Sequence, residues 1–352
     1  MTYLLNLSVF FLYSLFVYTL KFDVNLKRKI FFILSSFHIV LFQALRNPYI
    51  YNDSDNYSQM FIEIKEWPLS YAFSLTNVYT ILGQGYVIYN YILSRFTENP
   101  EILFFLSSVF SVYVVLWYYY KASYIPWIST IIYLLYPMLY LMSFMIVRQS
   151  IATAFVVLAL YNIKNIKKSL FFSFIAFSFH YSAIIIFPFY IWNSIDLARA
   201  NFWKIISIGS IVVVVLRALL GVVFLMMPRF DYSGEASNML PLILMIILLF
   251  LHHLCNSFKR VKDDKDKLML SYMVYATFVL LFSVGIPAAG RLSIYFLVFM
   301  PIMVTMLFKY CPIRQKGLIY AYVLSLLFLC IYLLLNFQEL IPKYEMFINN
   351  PI

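Results

Sequence analysis

The chain is short of charge and of cysteine. Asp, Glu, Lys and Arg make up 12% of its 352 residues, whereas a water-soluble domain carries about a quarter, so a soluble enzyme or a soluble nucleic-acid-binding module is excluded. No Walker A, GxGxxG, GxSxG or HExxH run is present, which leaves ATP-driven transport, dinucleotide cofactors, serine hydrolysis and zincin chemistry without support. The three cysteines, Cys255, Cys311 and Cys330, have no CxxC or Cys/His spacing and indicate neither a disulfide framework nor a zinc site. Alternating strands are missing as well. Runs such as Ile243 to Leu251 are unbroken, which argues against a transmembrane barrel.

What is present is apolar. Hydrophobic residues make up 64% of the chain, enough at about 20 residues per crossing for roughly ten to twelve spans, with little left for a soluble domain. The expected fold is all-α, a polytopic transmembrane helical bundle of about 11–12 spans forming one integral-membrane domain over residues 1–352. Hydrophobic runs predict spans near 3–20, 29–45, 101–120, 124–142, 147–162, 168–193, 204–227, 239–256, 268–285, 291–309 and 317–336. The first of these lacks a basic leader and a small-residue cleavage site and reads as a permanent span.

The net charge of +11 would suggest nucleic acid in a soluble protein. Here it reflects Lys and Arg retained on the cytoplasmic side, and no nucleic-acid partner is expected. The segments Lys21 to Lys29, Lys164 to Lys168, Lys259 to Lys267 and Lys309 to Lys316 are the natural cytoplasmic loops. Keeping all of them inside requires 168–193 to break into two short helices around His180. It also requires 46–100 to stay outside as a long first periplasmic loop with interfacial helices, Tyr79 to Leu93 among them. Cys255 and Cys311 then lie near cytoplasmic helix ends. The basic residues left outside are Arg46, Lys65, Arg95, Arg148, Arg229, Arg291 and Lys343, and Arg217 alone falls inside a span.

In this topology the unusual polar residues collect on the outer face. Arg46, Asp53, Asp55, Arg148, His180 and Arg291 fall at outer helix ends or in the first outer loop. The bland readings are arginines snorkelling to headgroups and a histidine satisfied in the core. Yet positive-inside bias disfavours arginine here, and forked guanidinium groups suit a diphosphate or another polyanion. Asp53 and Asp55 read as a loop-capping pair, as a general base beside an incoming hydroxyl, or as a weak divalent-ion site. Arg217, buried in a span, needs an anionic ligand or a carboxylate partner, or must snorkel.

Several stretches carry a family pattern. Arg46 is followed by Tyr51-Asn-Asp53-Ser-Asp-Asn-Tyr57, and later come Gln84-Gly85-Tyr86, Ile146-Val-Arg148-Gln149-Ser-Ile-Ala152, Ala176-Phe-Ser-Phe-His180-Tyr-Ser182-Ala183 and Arg291-Leu-Ser-Ile-Tyr295. In this order they resemble the EpsG-like branch of the Wzy-type polysaccharide polymerases, and they cover most of the chain from Arg46 to Tyr295. Gln84 stands where the family commonly has an acid, and Asn52 replaces a small residue before Asp53, so weight as a base shifts to Asp53 while the local turn differs.

The resemblance implies a GT-C-like glycosyltransferase of the bacterial inner membrane, with its active site on the periplasmic face, polymerising O-antigen, capsule or exopolysaccharide. Donor and acceptor would be undecaprenyl-diphosphate-linked oligosaccharide repeat units, with membrane lipids and a chain-length regulator protein as further partners. No cofactor and no metal are expected. Arg148 and Arg291, with Arg217, would stabilise the leaving diphosphate, and His180 or Asp53 would take the hydroxyl proton. Arg46, Asp55, Tyr57, Gln149, Ser182 and Tyr295 are expected to bind substrate. An O-antigen ligase would favour a large outer loop late in the chain, and a lipid-linked oligosaccharide flippase would line a central cavity with charge. Neither pattern matches as well.

Overall fold

Long apolar runs become helices, and among the described residues four of these are long and apolar enough to cross a membrane: Glu101–Ala122, Asp264–Ser283, Arg291–Tyr310 and Ile313–Asn336. The protein is a helical membrane protein. In the computed structural model, residues 2–47, 54–79, 82–195, 202–226, 238–286 and 291–336 are described, and no strand occurs among them. The chain divides into two units, 1–184 with 326–352, and 185–325.

The first unit contains α1 (Thr2–Thr19), α2 (Val24–Ala44), α3 (Ser54–Lys65), α4 (Leu69–Ala72), α5 (Gln84–Ser94), α6 (Glu101–Ala122), α7 (Pro126–Leu135), α8 (Met142–Met145), α9 (Val147–Tyr161) and α10 (Ile166–Phe179). Its boundaries follow local chemistry. The Asp23 side chain caps α2 by accepting from the Asn25 and Leu26 amides, and Asn165 caps α10 through the Lys168 amide. The run expected to cross over 124–142 instead stops at Leu135, because Tyr136 precedes Pro137 and is held extended with ψ 110. Helix α9 packs against α6 and α10, and α2 against α6.

Residues 54–79 and 82–95 form a small helical layer rather than a span. Helix α5 has 11 residues and rises about 16 Å at 1.5 Å per residue, roughly half of a bilayer core. On α3, Tyr57, Met60, Phe61 and Ile64 recur at helical spacing and pack with Tyr86 and Val87 of α5, Leu103 and Phe104 of α6, and Val147 and Ile151 of α9. Burying each large apolar side chain contributes about 1.5–3 kcal/mol. This core fixes α3 and α5 over the N-terminal end of α9.

The second unit contains α11 (Phe187–Trp192), α12 (Phe202–Met226), α13 (Met239–Leu254), α14 (Ser257–Arg260), α15 (Asp264–Ser283), α16 (Ile294–Leu297) and α17 (Met300–Tyr310); α18 (Lys316–Asn336) starts in it and ends in the first. Helix α15 is capped by Asp263, buried nearly all round, and packed by α11, α12, α13, α16 and α17. The helical run across 168–193 breaks at His180, as expected. His180 is extended at φ −153 and ψ 116, a 3-10 turn covers Tyr181–Ile186, and α11 begins with Pro188 in its first turn.

Candidate functional site

Arg148 lies in the first turn of α9, where Ile146, the cap residue, offers no side-chain acceptor. Its guanidinium is half-buried against the α3–α5 layer. Nε donates to the Tyr57 hydroxyl at 3.3 Å, and Nη1 donates to the Leu82 carbonyl. The group also lies 5.8 Å from the Tyr57 ring and 6.0 Å from the Tyr86 ring, which meet each other edge to face at 5.6 Å. Among the described residues Nη2 has no hydrogen-bond partner, and no carboxylate stands within ion-pair distance. A cation with no acid beside it among the described residues, at the positive end of a helix, makes a site suited to an anion.

The turn that holds Arg148 also presses on the His180 segment. Gly83 sits at φ +109, in the region that favours glycine. A Cβ there would come within 2.6 Å of the Ser178 carbonyl oxygen and 2.7 Å of that of Phe179, and one on Gly85 would meet Ser178 Oγ at 2.2 Å. Only glycines allow this approach. Gln84 ties the turn down from the other side, with Nε2 donating to the Ala72 carbonyl at 2.7 Å and Oε1 accepting from Asn77 Nδ2 at 3.2 Å. One path of contacts thus runs from Arg148 through Leu82 and Gly83 to Phe179 and His180. His180 Nδ1 lies 2.5 Å from Ser182 Oγ, which fixes the imidazole's orientation.

The Tyr57 hydroxyl accepts from Arg148, and Tyr57 and Tyr86 both present their rings to the guanidinium. Burial pushes the Tyr86 phenol well above its ordinary range, and the nearby Tyr57 phenol adds to this, while the Arg148 charge acts against it. Further out in the same layer, burial and the Glu63 carboxylate, which accepts from Tyr79 at 2.6 Å, push the Tyr79 phenol up to about 12.

Arg46 is built differently. It is 2% exposed. Nη1 donates to the Gln43 carbonyl and to Ser108 Oγ, both at 2.7 Å, Nη2 donates to the Phe144 carbonyl at 3.0 Å, and the Phe144 ring lies 4.9 Å away. It joins α2, α6 and α8. It also borders a cavity of about 370 Å3 with Thr97, Asn99 and Glu101.

The remaining candidates divide by position. Asp53 lies outside the described residues. Asp55 is exposed in the first turn of α3, where a carboxylate complements the helix dipole. Gln149 follows Arg148 on α9 but turns inward and is buried at 1% exposure. Arg217, Arg291 and Tyr295 belong to the second unit. There Arg217 Nη1 donates to the Leu281 carbonyl at 3.2 Å, Arg291 is exposed, and Tyr295 is fully buried, with its carbonyl accepting from the Tyr272 hydroxyl at 3.1 Å. The structure therefore joins Arg148, Tyr57, His180 and Ser182 with a group that residue chemistry did not single out, the Leu82 carbonyl and Gly83. The signal for the last was present in the sequence as Gly83-Gln84-Gly85, two of only eight glycines.

A family model describing the EpsG family matches residues 29–347. The chain belongs to the EpsG family. Membership suggests a polysaccharide-polymerase-like role and is consistent with a glycosyltransferase-like enzyme. No curated protein and no solved structure matches the chain. Among the EpsG-like features, the Arg148-Gln149 and Phe179-His180-Tyr181-Ser182 segments are the two that the Gly83 turn connects.

Proposed function

We propose that this EpsG-family protein is a bacterial surface polysaccharide polymerase. It transfers a growing undecaprenyl-diphosphate-linked glycan onto a new lipid-linked repeat unit at the periplasmic face of the inner membrane. The observation that carries the reading is Arg148: a guanidinium with an unused donor edge, no acid among the described residues, and the N-terminus of α9 beneath it. Such a group binds an anion, and the anion in this chemistry is the donor's diphosphate.

In the reaction the acceptor hydroxyl attacks the anomeric carbon, the glycosyl C–O bond to the diphosphate breaks, and the hydroxyl proton passes to a base. Arg148 holds the diphosphate and stabilises the charge that develops on its bridging oxygen. His180, oriented through Ser182, or Asp53 takes the proton. Tyr57 and the Leu82 carbonyl hold the Arg148 fork in one plane. Arg46 is fixed by three protein oxygens, and Gln149 is buried next to Arg148 on α9.

Deletion of the gene in its native strain, followed by gel separation of surface and lipid-linked polysaccharide, tests the reading. A core bearing a single repeat with no ladder is expected. A polymer ladder retained on its lipid carrier would indicate a ligase instead, and loss of the single-repeat surface product would indicate a flippase or an earlier biosynthetic step.

A further inference from the structure

The cysteines look unrelated in the sequence, but two of them meet in the second unit. Cys255 follows the last residue of α13 and Cys311 the last of α17, and Cys255 Sγ points at Cys311 Sγ from 2.6 Å. A disulfide bond is about 2.05 Å long, so the sulfurs stand about half an ångström from bonding distance. Both residues are buried. Helices α13 and α17 pack side by side, and the short α14 touches both. Joining the thiols therefore needs no rearrangement of the helices.

Geometry sets this pair apart from the third cysteine. The Arg260 guanidinium, on α14, donates through Nη1 to the Tyr310 carbonyl at 3.2 Å, next to Cys311. Cys311 Sγ also lies 3.7 Å from Gln315 Oε1. Cys330 is fully buried within α18, the ordinary situation of a cysteine that acts as a small apolar residue.

We propose that Cys255 and Cys311 form an oxidation-sensitive dithiol that closes to an intrachain disulfide on exposure to hydrogen peroxide, an oxidant small enough to enter a buried site. One thiolate attacks the O–O bond and becomes a sulfenic acid, and the hydroxide released takes up a proton to leave as water. The second thiol then displaces the sulfenyl oxygen, which leaves as a second water. The two sulfurs lose two electrons and two protons, and the peroxide is reduced to two waters. The bond ties the end of α13 to the end of α17 across α14. A reducing cytoplasm keeps the pair open, so closure marks oxidative stress at the membrane. The proposal is independent of the polymerase reading.

The test uses the full chain in detergent, treated with hydrogen peroxide, quenched, unfolded and labelled with a maleimide that adds a resolvable mass per free thiol. Untreated protein takes three labels. Treated protein is expected to take one, at Cys330, with the Cys255 and Cys311 peptides linked, and dithiothreitol is expected to restore all three. Cys311→Ser is expected to yield no linked peptide. Three labels after a peroxide exposure that closes a control dithiol would overturn the proposal. So would a disulfide between two chains, a link to Cys330, or sulfinic acid at either residue without a linked peptide.

Discussion

Arg46 and Arg148 are both arginines that the sequence reading places on the outer face against the positive-inside bias, and the regions around them treat the buried charge in opposite ways. At the junction of α2, α6 and α8, three protein oxygens and the Phe144 ring surround Arg46, and almost none of it reaches the surface. At the junction of α3, α5 and α9, Arg148 makes two hydrogen bonds and leaves an edge uncommitted among the described residues. Burying a cation is costly unless its donors are paired. The first site pairs both terminal nitrogens from within the protein, and in the proposed reading the second leaves part of its guanidinium to a ligand. The same residue type then serves architecture in one place and, as proposed, binding in the other.

Substitution should separate the two most clearly through activity. Arg148→Ala is expected to lower chain elongation by about 10²-fold or more, the typical loss when a preorganised donor to developing charge is removed, while the amount of protein in the membrane stays unchanged. Arg148→Lys keeps the charge without the fork and should recover only part of that loss. Gel analysis of polymer length beside immunoblots of the membrane fraction reads both, and normal chain length in Arg148→Ala would remove the contrast. Arg46→Ala should show the reverse pattern. It strands the Ser108 hydroxyl and two carbonyls in the interior and should cost about 3 kcal/mol of stability, seen as a lower thermal midpoint in detergent, with turnover per folded molecule nearly preserved.

The Gly83 turn sharpens the comparison, since it belongs only to the Arg148 region. Gly83→Ala combines a positive φ with a clash against the Ser178 and Phe179 carbonyls. It should destabilise the turn by about 1–3 kcal/mol and reduce elongation. Gly317→Ala, where an added Cβ meets nothing within 4 Å, should be silent in both assays. A smaller loss than that of Gly83→Ala is expected from Tyr57→Phe, which removes only the acceptor of the Arg148 Nε hydrogen bond. The loss should be about 1 kcal/mol, a severalfold change in elongation rate with stability little altered.

The helices were legible in the sequence because apolar runs report them directly. The break at His180 was also legible, from charge rather than from propensity: only a split of 168–193 kept every basic loop on one side. The interruption at Tyr136 was missed because the apolar run continues through it, although Pro137 supplied the signal. The candidate residues were legible by type, but their surroundings were not. Nothing local distinguishes Arg46 from Arg148, since their environments are set by Ser108, Phe144, Tyr57 and Leu82, which are 62, 98, 91 and 66 residues away. The meeting of Cys255 with Cys311, 56 residues apart, is hidden for the same reason.

The most direct test of the central claim is elongation by the purified protein in lipid vesicles supplied only with undecaprenyl-diphosphate-linked repeat units, with products resolved by size. The account predicts a ladder rising one repeat unit at a time, formed without any nucleotide sugar. Unchanged single repeats beside protein verified as folded, or a ladder that appears only when a nucleotide sugar is added, would contradict it.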